Sequence, residues 1–141
     1  HGAMAAYVAT IFPHGGALIY GSQEVGYDKT INFFKYVPVD WTAHPEVYRE
    51  YQKLIGLYNK YSALRKGELI PYPDRDVMAF MKTDASGDFL VLVNVRNAAH
   101  TFDLPQQWAG HAVNNVYTGK SMKLASKVNL KPFQYFILKA K

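Results

Sequence analysis

The sequence contains no cysteine, which excludes disulfide bonds, thiolate nucleophiles and cysteine-ligated zinc in one step. The redox compartment stays open, because many secreted proteins also lack disulfides; secretion or a periplasmic location is compatible with the chain. No apolar run approaches the roughly 18 residues of a membrane-spanning helix, since glycine, proline, histidine or charge interrupts every such stretch. Clustered charge of one sign is missing as well. The net charge is +5, yet the lysines are scattered singly from Lys29 to Lys141 and only Arg65 and Lys66 stand together, so no phosphate-tracking surface for nucleic acid is expected. The five histidines show no i, i+4 pairing and no clustered acids beside them, which argues against a zinc site. Asp74-Arg75-Asp76 reads as a surface turn before a strand rather than a calcium loop. Neither a glycine-rich phosphate cradle nor a Gly-x-Ser-x-Gly elbow occurs.

What is present is ample apolar material, 49% of residues, enough for a packed core. Segment 4–12 is small and apolar and predicts a short buried helix, stopped by Pro13 and the Gly15-Gly16 pair. Ala17-Leu18-Ile19-Tyr20 is continuously apolar, the pattern of a parallel strand covered on both faces. Segment 21–41 is long, aperiodic and aromatic, with Tyr27, Phe33, Phe34, Tyr36 and Trp41, as functional loops beyond a strand end are. Thr42 is a good N-cap and Pro45 suits a first turn. Val47, Tyr51, Leu54, Ile55 and Tyr58 then recur at helical spacing. This helix is expected to fade at Leu64-Arg65-Lys66, with Gly67 as its stop.

Beyond Gly67 short β runs alternate with turns: 77–82, 89–94, 100–104, 112–117, 127–130 and 133–138. Hairpin loops are expected at 84–88, at Asn97-Ala98 and at Thr118-Gly119-Lys120. Strands at roughly ten-residue intervals predict an antiparallel sandwich or a small open barrel. The chain is thus expected to be α+β, with an α/β front over residues 1–67 and an all-β domain over 68–141. It has no basic leader and reads as mature protein, with His1-Gly2 as a cloning remnant.

The stretch Gly15-Gly16-Ala17-Leu18-Ile19-Tyr20-Gly21-Ser22-Gln23-Glu24-Val25-Gly26 resembles the eighth barrel strand and following loop of the α-amylase family, glycoside hydrolase family 13. There the pattern is Gly-x-Pro-x-x-Tyr-x-Gly-x-Glu-x-Gly; Ala17 stands where proline is common and Ser22 where glycine is. Three further segments follow in the family's order. Trp41 precedes a helix resembling the last barrel helix, from Tyr51-Gln52-Lys53-Leu54 to Leu64-Arg65-Lys66-Gly67-Glu68. Val77 to Lys82 and Leu90 to Asn94 resemble the first strands of the family's C-terminal β-domain. Val116-Tyr117-Thr118-Gly119-Lys120 and Val128-Asn129-Leu130-Lys131-Pro132-Phe133 resemble its closing strands. The resemblance covers essentially the whole chain, and its specificity lies in the order of the segments.

The resemblance implies the end of a (β/α)8 barrel followed by a β-sandwich, taken from an enzyme that hydrolyses α-glucans such as starch and maltooligosaccharides. Retaining glycoside hydrolysis needs two carboxyl groups about 5 to 5.5 Å apart. In the family these, with a stabilising aspartate, come from barrel strands four, five and seven, so none is expected in this chain and the isolated chain is expected to be inactive. No cofactor is expected here; a calcium ion would belong to the missing part of the parent. Gln23, Glu24, Tyr27 and Trp41 are the candidates for substrate contact, Glu24 being weighed against a role in fixing the loop by accepting backbone N–H bonds. For the loop aromatics the competing expectation is packing against the barrel wall, and for Trp108 it is filling the β-domain core. Expected partners are the α-glucan, through the parent enzyme, and either the missing N-terminal barrel or a dimer mate, which would cover apolar surface left by a lone barrel strand. The alternative reading is a stand-alone carbohydrate-binding or interaction module.

Overall fold

The structure is a computed structural model, and it describes residues 2–141; His1 of the suspected His1-Gly2 remnant lies outside the described residues. Helix α1, Gly2–Ile11, forms where alanine and methionine dominate, and it buries Met4, Ala5, Tyr7, Val8 and Ile11. Helix α2, Pro45–Lys60, carries the apolar stripe anticipated, with Tyr51, Leu54 and Leu57 buried. It does not run on to Lys66. The backbone turns extended at Tyr61 and restarts as the short α3, Ser62–Lys66. The break seats the Tyr61 ring 4.8 Å from that of Phe89 and brings Ala63 N to Ser86 Oγ at 3.3 Å. Gly67 follows because a side chain has no room there: a Cβ would lie 2.6 Å from Ala63 O and 2.7 Å from Thr83 O.

Eight strands follow: β1 Glu68–Tyr72, β2 Val77–Asp84, β3 Gly87–Asn94, β4 His100–Asp103, β5 Ala112–Asn115, β6 Lys120–Lys123, β7 Lys127–Leu130 and β8 Tyr135–Ala140. Six form an antiparallel sheet in the order β1-β2-β3-β8-β5-β6, and β4 pairs with β7 in a separate two-stranded sheet. This is a sandwich, not a barrel. Helices cover its other side. Along β3, Phe89, Val91 and Val93 point into one core shared with α1, α2 and α3, whereas Leu90 and Leu92 point into a second core with Phe102, Trp108 and Leu130. Period-2 alternation puts successive side chains on opposite faces, so a strand covered on both sides must be apolar throughout. Trp108 fills the second core as expected, with Nε1 donating to Tyr72 Oη at 3.1 Å.

Several sequence-based expectations are corrected. Ala17-Leu18-Ile19-Tyr20 forms no strand among the described residues; it opens on a tight turn in which Leu18 N donates to Gly16 O at 2.8 Å, and Leu18 is 79% exposed. A continuous apolar run marks a strand only when neighbouring strands supply its hydrogen bonds. The Asn97-Ala98 turn is not a hairpin, because β4 leaves the sheet of β3 to pair with β7. Thr42 does not cap α2: it donates both its N–H and its hydroxyl to Asp40 Oδ1, at 2.9 and 2.6 Å, and His44 holds the cap position. Strands β1 and β6 went unpredicted. Both are sheet edges, one containing Pro71 and the other fully exposed, where proline and charge are normal.

Two buried polar side chains tie the layers together. Lys82 is fully buried in β2, and its Nζ donates to Pro13 O, just past the end of α1, at 2.6 Å; desolvation pushes its pKa down. Asn94, fully buried, closes β3 and donates its Nδ2 to Lys131 O in the turn before β8, at 2.8 Å.

At the entry to β2, Asp74 Oδ1 accepts N–H bonds from Asp76 and Val77, both at 2.8 Å. These bonds hold its carboxyl below the usual carboxylate range. A carboxyl whose folded pKa is depressed stabilises the fold above its unfolded pKa of about 3.9, and that contribution is lost as pH falls through the folded value. Asp74→Asn is therefore expected to flatten the acid limb of a plot of Tm against pH below about pH 4. An unchanged limb would show that Asp74 is not linked to folding.

Candidate functional site

The loop between α1 and α2 carries all four candidate residues. It leaves α1 through Gly15, where a Cβ would fall 2.1 Å from Thr10 O, and Tyr58 of α2 holds it by donating to Gly15 O at 3.1 Å. Beyond Tyr20 the chain makes a 3-10 turn at Gln23–Val25, bracketed by two left-handed residues, Ser22 (φ 71°) and Gly26 (φ 66°). Ser22 stands where the resembled pattern has glycine, and its backbone adopts the conformation that glycine enters without steric cost. The turn is closed by Val25 N and Tyr27 N donating to Ser22 O at 3.3 and 3.2 Å.

The turn divides the candidates into two pairs. Gln23 and Glu24 sit beside the tyrosines of the helices beneath. Gln23 Oε1 accepts from Tyr20 N at 3.3 Å. The rings of Tyr7 and Tyr51 pack edge to face with centroids 4.7 Å apart, and burial pushes both phenols up. Glu24 Oε2 and the hydroxyls of Tyr7, Tyr27 and Tyr51 are buried without a protein hydrogen-bond partner among the described residues. No backbone N–H reaches Glu24 Oε2 among the described residues. Tyr7 and Tyr51 were not anticipated as members of this group, since on an apolar helix face a tyrosine reads as core.

Tyr27 and Trp41 come together in a separate group. With Ile31, Val37 and Val39 they line an open cleft of about 220 Å³, and Tyr27 also borders a second cleft of about 190 Å³ with Asp40 and His44. Trp41 is 61% exposed. Phe33, Phe34 and Tyr36 project from the loop nearly free of contact, Phe34 being 97% exposed. Local turns set their directions. Asn32 Oδ1 accepts from Phe34 N and Lys35 N at 2.9 and 3.0 Å. Asp40, holding Thr42, is kept below the usual carboxylate range first by the Thr42 hydroxyl and then by its N–H.

This arrangement offers aromatic faces and hydrogen-bonding groups. Of the loop's carboxylates, Glu24 belongs to the 3-10 turn, Asp28 is exposed and lines one cleft with Asp40 and His44, and Asp40 Oδ1 accepts from the Thr42 hydroxyl. Among the described residues no helix is long and apolar enough to cross a membrane.

Residues 68–137 match the family model of the maltogenic amylase C-terminal domain. Alpha-amylase 2 of Dictyoglomus thermophilum is 27% identical, over 76% of this chain and 21% of its own length. The chain thus spans about a fifth of that relative. The crystal structure of the maltogenic amylase from S. marinus superimposes with a TM-score of 0.79 at 20% identity, over 100% of this chain and 20% of its own. AmyP, crystallised as a mutant with maltotriose, superimposes with a TM-score of 0.80 at 16% identity, over 99% of this chain and 34% of its own. At these identities the two structures speak for the fold, and they do so for the front segment as well as for the β-sandwich.

Proposed function

Because this chain is the C-terminal part of an α-amylase-family glycoside hydrolase, we propose that it closes and braces the barrel of an enzyme that hydrolyses α-glucans with retention, supplying no catalytic carboxylate itself. The observation that carries this reading is the single core in which α1, α2 and α3 pack with Phe80, Phe89, Val91 and Ile137 of the six-stranded sheet. A β-domain that merely trailed the barrel on a linker would keep its core to itself. Here the sheet buries the same helices that would close the barrel wall, so it stiffens the elements that present loop 21–41.

In barrels of this architecture, loops at the C-terminal ends of the strands build the site. Loop 21–41 follows such a segment. Tyr27 and Trp41, which line one cleft, then serve as ring faces for the C–H surfaces of a sugar. The exposed Leu18, Tyr20, Phe33 and Tyr36 form the surface that the rest of the barrel covers, since apolar area of this extent marks a contact region.

The 141-residue chain is expected to show no turnover of soluble starch or of a chromogenic maltooligosaccharide; genuine turnover would sink the reading. In the whole enzyme, Trp41→Ala is expected to raise KM for maltooligosaccharides by about tenfold with a smaller change in kcat, the pattern of lost ground-state binding. Unaltered kinetics would remove Trp41 from the substrate cleft.

A further inference from the structure

A second cleft, of about 340 Å³, opens where α1 and α2 meet β5, β8 and the turn before β8, and it shares no lining residue with loop 21–41. Its size is at the small end of ligand sites. Tyr117 and Tyr135 line it with their rings packed edge to face on each other, 5.2 Å apart and inclined at 66°, and Phe133 lines it beside them. Polar groups border the rings. Tyr135 donates its hydroxyl to Glu50 Oε1, and the Tyr117 hydroxyl also lies within reach of that carboxylate, so both phenols share the Glu50 side chain that lines the cleft. Gln134 Oε1 accepts from Lys131 N at 2.8 Å, so its amide nitrogen remains a donor. The buried Asn115 accepts from Tyr117 N and Thr118 N at 3.0 and 3.2 Å, fixing Tyr117 in place.

Two further features mark the cleft. Phe133 has φ 55°, a conformation that costs a bulky residue energy and clusters at ligand sites; it is held there by Phe133 N donating to Arg96 O at 3.1 Å. The ammonium of Lys53 lies 4.5 Å from the Tyr117 ring centroid. Burial also pushes the Tyr117 and Tyr135 phenols up, so both stay protonated through the neutral range.

We propose that this cleft binds a glucosyl unit of an α-glucan; the choice of α-glucan rests on the hydrolase reading above. Lys131 on the rim and Lys53 over the Tyr117 ring offset the Glu50 carboxylate, so charge does not select the ligand, and the amides would be left unpaired by a purely apolar ligand. A neutral ring with C–H groups and peripheral hydroxyls satisfies both halves: its C–H groups pack on the aromatic surface that Tyr117, Phe133 and Tyr135 present, and its hydroxyls meet Glu50, Asn115 and Gln134. Held here, a polysaccharide would stay at high local concentration near the enzyme that acts on it.

The test is a titration of the ¹⁵N-labelled chain with maltotriose, and with β-linked cellotriose in parallel, followed by NMR. Resonances of Thr118, Gln134 and the Asn115 side-chain amide are expected to move with a Kd of about 1 mM. Tyr117→Phe should keep this response, and Tyr117→Ala should weaken it by about tenfold. Lys131→Trp, at an exposed rim position, should abolish it by filling the cleft while leaving the remaining spectrum in place. Shifts confined to Gln23, Tyr27 and Trp41 would overturn the cleft and leave the hydrolase reading standing. An equal response to cellotriose would overturn the assignment to α-glucans, and no movement up to the solubility limit would overturn the site altogether. Failure of the hydrolase reading shows separately, as starch turnover by the isolated chain.

Discussion

Replacing Phe89 by alanine is expected to destabilise the protein by about 3–5 kcal/mol and to do so for the helices and the sheet together. Phe89 is fully buried on the helix side of β3, against the ring of Tyr61 at the break between α2 and α3. A loss of this size is a large share of the roughly 5–15 kcal/mol by which domains are stable. Two probes report on different layers. Far-UV circular dichroism follows the helices, and fluorescence follows Trp108, which lies in the opposite core, with Trp41 contributing an exposed background. Coincident urea transitions by both probes, shifted to lower denaturant in Phe89→Ala, are the expected result. Loss of the helical signal at lower urea than the Trp108 signal, in the parent chain, would mean that the front is a separate unit docked on the β-domain, and the bracing role would fall.

The second large effect is expected at Asn94, which is fully buried at the end of β3. Its Nδ2 donates to Ala98 O at 2.6 Å and to Lys131 O at 2.8 Å, and its Oδ1 accepts from Arg96 N at 2.9 Å. One side chain thus ties the β3–β4 connection to the turn between β7 and β8. Asn94→Leu is close in size but strands two carbonyls and an N–H, each costing about 1–3 kcal/mol if it stays buried. A loss of about 3 kcal/mol in a urea melt is expected, after allowing for partial rescue by water. Because Arg96 O also receives the Phe133 N–H, the same substitution should loosen the glucosyl cleft. A variant as stable as the parent would show that this network is incidental.

How much of this was legible in the residues differs by element. Helix α2 was, because its apolar side chains recur at 3.6-residue spacing and the periodicity is local. The strands around Val77, Phe89 and Lys127 were, and so were the turns at Ala85-Ser86 and Gly119, where short polar loops join paired strands. The edges β1 and β6 were not, since an edge strand needs neither an apolar face nor a full set of N–H donors. The most instructive case is a pair of similar signals. Ala17-Leu18-Ile19-Tyr20 and Phe89-Leu90-Val91-Leu92-Val93 are both continuous apolar runs, yet only the second is covered on both faces within this chain. Apolarity states that cover is required; which elements provide it is a matter of tertiary packing.

The candidate site divides in the same way. The loop and its aromatics were recognisable from composition and from the family's ordered segments. That Tyr27 and Trp41 share a cleft while Glu24 lies near Tyr51 was not, because Ser22 and Gly26 reverse the chain with two left-handed residues that no periodicity announces. The sequence by itself determined the class of the chain, its division into helical and β-rich stretches, the family it resembles and the catalytic carboxylates it does without, all properties carried by residue identity and near-neighbour spacing. Only the tertiary structure decided that the helices and the sheet share one core, and that Glu50 of α2 meets Tyr117 and Tyr135 across the seam, because contacts between residues 85 positions apart are set by how packed layers fit and not by local pattern.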